Sequence, residues 1–397
     1  MSGRPFLQLP GPTNLPDRIL RAMDRPIVDH RGPEFAALTK SLLPGLRAAF
    51  GSREGTVVIY PGSGTGGWEA ALVNVLAPGD RVLTFSHGQF GVAFAQGARK
   101  LGYEVDEVPL RWGQSIPAEE VEARLGADRG ARPYRAVFVV HNETSTGVRA
   151  DVGAIRAAMD AAGHDALLIL DAVSSLASMP VRCDEWRVDV ALTGSQKGLM
   201  LPPGLALLCV GQRALAISQE GGSPRNFFDW RPIIRENAVG LFPYTPATML
   251  LFGLREALAM LAEEGWDAVF ARHHRLASGV RAAIQAWREP QILCEDPACY
   301  SDTVTSVVLP DGLEEDNVRR VARERFGLVL GNGLGQLKGR VVRIGHLGAL
   351  NELEVLATVA GVELTLRECG LDLDLGRGVA ACQRVFAQGA AVAGAPK

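Results

Sequence analysis

Short runs dense in Val, Ile and Leu recur through the first half of the chain, each closed by a turn. They are GTVVIY (55–60), RVLTFSHG (81–88), YEVDEVPL (103–110), RAVFVVHNE (135–143), ALLILDAV (166–173), VDVALTGS (188–195) and GLALLCVG (204–211). The stretches between the early runs, such as TGGWEAALVNVL and QFGVAFAQGARKLG, space their apolar residues as helices do. A strand that is apolar at successive positions has both faces buried. Such strands alternating with amphipathic helices predict an α/β fold with a mostly parallel, seven-stranded sheet covered on both sides. A loop-rich region follows at 216–247, and a long helix is expected from near Pro246. Beyond about residue 265 the order becomes helix 268–287, strand TSVVLP, helix EEDNVRRVARERFG, strand RVVRIGHLG and helix NELEVLATVAGVELTLRECG. That order predicts a smaller C-terminal α+β domain. The expected division is an N-terminal arm and substrate-side loop at 1–16, a large domain at 17–264 and a small domain at 265–397. No internal repeat is visible, and the one low-complexity piece is the Ala/Gly-rich tail.

Composition narrows the function classes. With 397 residues, 47% of them hydrophobic, the chain can bury a large core. A formal net charge of −3 and the lack of a basic run with interleaved aromatics give no basis for nucleic-acid binding. No segment reaches the ~18 consecutive apolar residues of a membrane span. MSGRPFLQLPGPTNLP lacks the regions of a signal peptide and VAGAPK is no targeting tripeptide, so a cytoplasmic protein is expected. Six cysteines (183, 209, 294, 299, 369, 382) form no CxxC pair and read as reduced thiols, half of them buried. No ligand quartet has zinc spacing, so no metal is expected. His273 and His274, on the basic stretch ARHHRLASGVRAAI, are expected at the surface.

Ligands of open α/β sheets gather at the carboxyl ends of strands, and five such ends carry chemistry here. PGSGTGGWEAAL (61–72) turns into a helix whose first N–H groups, at Ser63, Gly64 and Thr65, suit a phosphate; an ordinary turn capped by Thr65 has the same pattern. HGQFG (87–91) offers Phe90, suited to stacking on a planar ring or to filling the core. HNETSTGV (141–148) offers Thr144, whose hydroxyl suits a ligand oxygen or, like Ser145, a loop cap. Asp171 closes the apolar strand LLILD, where a carboxylate is costly unless a cation or a capping role compensates. SQKG (195–198) presents Lys197, one of five lysines in an arginine-rich chain. An amine near buried strand ends can lose its proton and attack a carbonyl, which a guanidinium cannot.

Pyridoxal 5′-phosphate needs all five at once. Its aldehyde takes a lysine, its ring nitrogen a carboxylate, its phosphate a helix N-terminus and its ring a stacking partner. The sequence also resembles the class V (fold type I) pyridoxal-phosphate aminotransferases over nearly its whole length, most closely the serine–glyoxylate and alanine–glyoxylate branch. The resemblance runs through PGPTNLPDRILRAM, DHRGPEF, GSGTGGWEAALVNVLAPGD, HNETSTGV, LDAVSS, CDEWRVDVALTGSQKGLMLPPGLA, FPYTPATMLLFGLREAL and VVRIGHLGALNELE. It implies that Lys197 holds the cofactor and acts as acid and base, and that Asp171 pairs with the ring nitrogen. It further implies that Phe90 stacks, that Val173 lies against the cofactor, and that Thr144 meets the ring oxygen or the substrate. Ser63, Gly64, Thr65 and Gln196 would hold the phosphate, and Thr245 would reach the phosphate of a partner subunit in a homodimer. Two positions depart from the alanine-type pattern: Phe90 stands where a tryptophan is common, and Phe242 where a tyrosine helps bind phosphate.

Arg343 lies in the apolar strand VVRIG, and a buried guanidinium is costly unless it meets an anion such as a substrate carboxylate or a protein acid. The expected reaction is ping-pong transamination from L-serine to glyoxylate, with alanine or aspartate as alternative donors. A cysteine desulfurase, using Cys294 or Cys299, and a non-catalytic binding module are the competing readings.

Overall fold

The computed structural model describes residues 5–389; the Ala/Gly tail from residue 390 onward lies outside them. Its strands are β1 (Phe6–Gln8), β2 (Thr56–Gly62), β3 (Arg81–Ser86), β4 (Glu104–Pro109), β5 (Tyr134–Val140), β6 (Asn142–Glu143), β7 (Val148–Arg149), β8 (Leu167–Asp171), β9 (Val190–Gly194), β10 (Gly204–Val210), β11 (Gln291–Ile292), β12 (Val304–Val308), β13 (Leu328–Asn332) and β14 (Val341–Gly345). The seven-stranded sheet has the order β2-β10-β9-β8-β5-β3-β4. Only β10 runs against its neighbours. The seven apolar runs are those seven strands.

Why the central runs are apolar at successive positions is visible in the packing; the edge strand β4, EVDEVP, is not and stays half-exposed. Along β5, Ala136, Phe138 and Val140 enter one core, while Val137 and Val139 enter the other. Along β8, Leu167 and Ile169 face one way and Leu168 and Leu170 the other. Residues of the helices Gly64–Val75, Gln89–Lys100 and Trp230–Val239 fill the first core. Residues of Pro33–Ala49, Val152–Ala161 and Thr248–Glu264 fill the second. In Pro33–Ala49 the buried Phe35, Leu38, Leu42 and Leu46 recur at helical spacing, behind a proline at the first turn. Each fully buried Leu, Ile or Phe adds about 1.5–3 kcal/mol.

A third core joins the helices Trp266–Trp287, Glu315–Phe326 and Glu352–Glu368 to the smaller sheet β1-β13-β14-β12-β11. Asn351 and Glu354 close a capping box at the start of the last of these helices. Several elements were not foreseen, among them β6, β7, β11 and the helix Trp230–Val239 within the stretch expected to be loop-rich. β1, expected within an arm, adds a parallel edge to this second sheet. β13 and the helix Arg377–Gly389 complete the small region. A correction concerns His273, expected at the surface: it is fully buried. Its ring accepts from the Gly348 N–H (3.1 Å) and meets the Val269 carbonyl (2.7 Å), which satisfies both nitrogens. His274 is the exposed member of the pair.

Candidate active site

The carboxyl ends of β2, β3, β5, β8 and β9 meet at one edge of the large sheet, and the start of the reversed strand β10 joins them. There, Ser63, Gly64, Thr65, Phe90, Thr144, Asp171, Val173, Gln196 and Lys197 line a single cleft of about 180 Å³. Trp68, Asn142 and Ser174 line it too.

Lys197 follows β9 in a tightly pinned turn. The Ser195 hydroxyl accepts from the Leu205 N–H (3.1 Å) and donates to the Pro202 carbonyl (2.7 Å), and the Met200 N–H donates to the Lys197 carbonyl (2.9 Å). From the other side the N-terminal segment closes over it. Lys197 Nζ donates to the Pro10 carbonyl, and Thr13 bonds the carbonyls of Gln196 (3.2 Å) and Lys197 (3.3 Å). Gly11 has φ +101°, and a Cβ there would stand 2.6 Å from Lys197 Nζ. Burial, reinforced by the charge of Arg343, pulls the amine down to about 8 despite Asp171. A neutral amine is therefore accessible near neutral pH.

Asp171 is the last residue of β8 and is buried. One oxygen accepts from the Val173 N–H (2.7 Å), the other from the Trp68 indole N–H (2.7 Å). Burial pushes its carboxyl up to about 6, against those two hydrogen bonds and the charge of Lys197. The helix Gly64–Val75 is capped by Ser63, whose Oγ accepts from the Gly66 N–H, so the cap is Ser63 and not Thr65. Gly64 packs so closely on Val173 that a Cβ would lie 2.7 Å from its side chain. Thr144 Oγ1 donates to Ser174 Oγ (2.7 Å), and Asn142 Nδ2 ties Ser174 (2.8 Å) to Thr303 (2.9 Å) of the small sheet's approach.

Arg343 lies on β14, buried. Its Nε donates to the Asn332 carbonyl (2.6 Å) and its Nη1 to the carbonyl of Thr144 (3.2 Å), a residue of the cleft, although Arg343 itself does not line it. Among the described residues it makes no ion pair. Burial lowers its pKa to about 10, with Glu143 and Glu315 opposing, and it stays cationic at neutral pH.

Thr245 is exposed and outside the cleft. Phe242 is buried against Phe35, their ring centroids 6.1 Å apart. Cys294 is buried and Cys299 half-buried, and neither lines the cleft. Two residues that the sequence reading passed over support the site. Trp68 holds Asp171, and the fully buried Glu143 accepts from the N–H groups of Phe90 (3.0 Å), Gly91 (3.2 Å) and Ser145 (3.1 Å), fixing the loop that carries Phe90.

These residues fit pyridoxal 5′-phosphate. An amine of lowered pKa and a buried carboxylate share the cleft, and the Gly64 turn leaves room where a side chain would intrude.

Comparison with known proteins agrees with the geometry. Residues 6–337 match the family profile of the class-V aminotransferases. The chain is 48% identical to a serine–glyoxylate aminotransferase of Methylorubrum extorquens over 96% of its length and 95% of the relative's. It is 42% identical to an L-aspartate–glyoxylate aminotransferase of Paracoccus denitrificans, covering 97% of each chain. Among solved structures it superimposes on a pyridoxamine–pyruvate aminotransferase from Mesorhizobium loti with a TM-score of 0.90, at 29% identity, covering 98% of each chain. The chain thus belongs to the class-V aminotransferases, and its cofactor is pyridoxal 5′-phosphate.

Proposed function

We propose that the protein moves the amino group of L-serine to glyoxylate, releasing hydroxypyruvate and then glycine in a ping-pong cycle. The observation that carries this reading is Arg343. It is a buried guanidinium with no ion pair among the described residues, bonded to the carbonyl of Thr144, which lines the cleft that also holds Lys197. A planar fork of this kind suits the carboxylate that serine and glyoxylate share. The choice of serine is supported by 48% identity to a serine–glyoxylate enzyme.

When bound, the cofactor supplies an aldehyde for the amino group and a ring that withdraws electrons. Arg343 holds the substrate carboxylate in both halves of the cycle. Lys197, with its pKa near 8, takes the proton from the substrate Cα and later returns one. Asp171 would keep the proton on the ring nitrogen, and Phe90 and Val173 would pack against the ring. Ser63, Gly64, Thr65 and Gln196 would hold the phosphate, and Thr144 would orient the ring oxygen or the substrate. A homodimer belongs to this reading: Thr245, exposed here, would reach the partner's phosphate. So does a reducing, cytoplasmic setting, supported by six free thiols. The working division stays at 1–16, 17–264 and 265–397, with residues 6–8 of the arm paired to the small sheet.

The test follows the cofactor's visible absorbance while the purified enzyme is mixed with L-serine, L-alanine or L-aspartate, and then with glyoxylate. L-serine is expected to convert the enzyme fastest, and glyoxylate to restore the starting spectrum. Faster conversion by L-aspartate or L-alanine would overturn the choice of donor. No conversion by any of them would overturn transamination itself.

A further inference from the structure

We propose that Trp68 is a positioning residue for the reaction: its indole N–H holds the Asp171 carboxylate in the orientation in which it meets the cofactor's ring nitrogen. The inference rests on the reading of Asp171 given above.

Three observations carry it. First, the indole Nε1 donates to Asp171 Oδ2 at 2.7 Å while the Val173 N–H donates to Oδ1, also at 2.7 Å. The carboxylate is thereby held at both oxygens, each keeping a lone pair for a further donor. Second, the indole cannot swing. It is buried and caged edge-on by Phe94 and Phe138, at centroid separations of 6.0 Å and 6.3 Å. Third, Trp68 belongs to the helix Gly64–Val75, one turn beyond Gly64. The element that offers its N-terminus to the phosphate therefore also fixes the acid for the opposite end of the ring. A phenylalanine would fill the same apolar cage. A tryptophan needs an acceptor for its N–H once buried, and that acceptor is the acid.

An indole N–H is a donor that never titrates, so it favours the ionised carboxylate at every working pH. Lys197 favours the same form, and Glu143 opposes it; these are the other charged groups that bear on Asp171. Without the indole, Asp171 becomes more basic and competes for the proton on the ring nitrogen. The ring then withdraws electrons less strongly, which slows proton removal from Cα and leaves carboxylate binding at Arg343 unaltered.

The experiment compares the wild-type holoenzyme with Trp68→Phe and Asp171→Asn. For Trp68→Phe, kcat is expected to fall about tenfold with KM for both substrates within about twofold, the loss of one charge-assisted hydrogen bond. The pH midpoint of the bound cofactor's visible band is expected to move upward by about one unit. A residue that merely packs would lower thermal stability and cofactor occupancy without moving that midpoint. A Trp68→Phe enzyme with wild-type kcat and midpoint overturns the inference. If that variant does not fold, the indole N–H resonance of Trp68 is followed in wild-type and Asp171→Asn holoenzymes. A resonance displaced by Asp171→Asn supports the inference, and one that does not move overturns it. If Asp171→Asn leaves rate and spectrum intact, the reading of Asp171 falls and this inference with it. If Asp171→Asn is impaired and Trp68→Phe is not, only the inference falls.

Discussion

Arg343 and Lys197 are both basic, yet neither can stand in for the other. In the proposed reaction Arg343 must stay charged and present a planar fork, and its pKa near 10 leaves it cationic at neutral pH even after burial. Lys197 must shed its proton, and a value near 8 lets it. Arg343→Lys is therefore expected to raise KM for both the amino and the oxo acid by about tenfold or more through loss of the bidentate grip, with the cofactor's absorbance unchanged. Steady-state kinetics on the two substrates check this, and an effect on one acid alone would contradict a shared anchor. That Lys197 and Asp171 share one cleft was legible in the sequence because each is a charged residue at the end of an apolar run. Trp68 and Glu143 were not, because their role is set by partners far along the chain. The indole meets its acid across 103 positions, and Glu143 meets the Phe90 N–H across 53. His273 misled for the same reason: its bond to Gly348 spans 75 residues, and a pair of adjacent histidines on a basic helix gives no hint of it.

At the scale of elements, the large sheet could be read directly. Six of its strands are largely buried on both faces, and continuous apolarity marks that state strongly, whereas the edge strand β4, EVDEVP, buries only Val108. β1 and β11, with three and two residues, carry no such mark and exist because a neighbouring strand offers them hydrogen bonds. β1 matters beyond its length. It leads into the Pro10–Thr13 segment, where Gly11 adopts φ +101° against the Lys197 amine. An alanine at this position would have both an unfavourable backbone and a Cβ 2.6 Å from Nζ. Gly11→Ala is expected to weaken pyridoxal 5′-phosphate binding at least tenfold while costing about 1–2 kcal/mol of stability. Equilibrium titration of the cofactor-free protein and chemical unfolding measure the two separately. Intact binding would mean that the segment does not fix the lysine.

For the whole molecule, four buried histidines govern the response to acid. Burial holds His87 and His273 down to about 4 and His141 and His346 down to about 3. The unfolded chain binds protons at these sites from about pH 6.5 downward, and the native state refuses them. Their stabilising contribution is thus complete above about pH 6.5 and is lost as the pH falls through about 4 for His87 and His273 and about 3 for His141 and His346. Asp171 and Glu143, raised by burial, act in the opposite sense. The melting temperature is expected to drop progressively below pH 6.5, with proton uptake on unfolding. Calorimetry at stepped pH checks the sign, and a flat profile between pH 7 and pH 5 would refute it.

Arg343, proposed to hold the substrate carboxylate, and Lys197, proposed to hold the cofactor, belong to two different sheets, and a short N-terminal ribbon is stitched to both. Phe6–Gln8 is zipped to β13, which pairs with the strand bearing Arg343, and Thr13 is fastened to the carbonyls of Gln196 and Lys197. Any tilt of one sheet against the other must pull on that ribbon and so be felt at the nucleophile. Grip on the acid and reactivity of the amine are then not independent dials: a change in the first dozen residues turns both together.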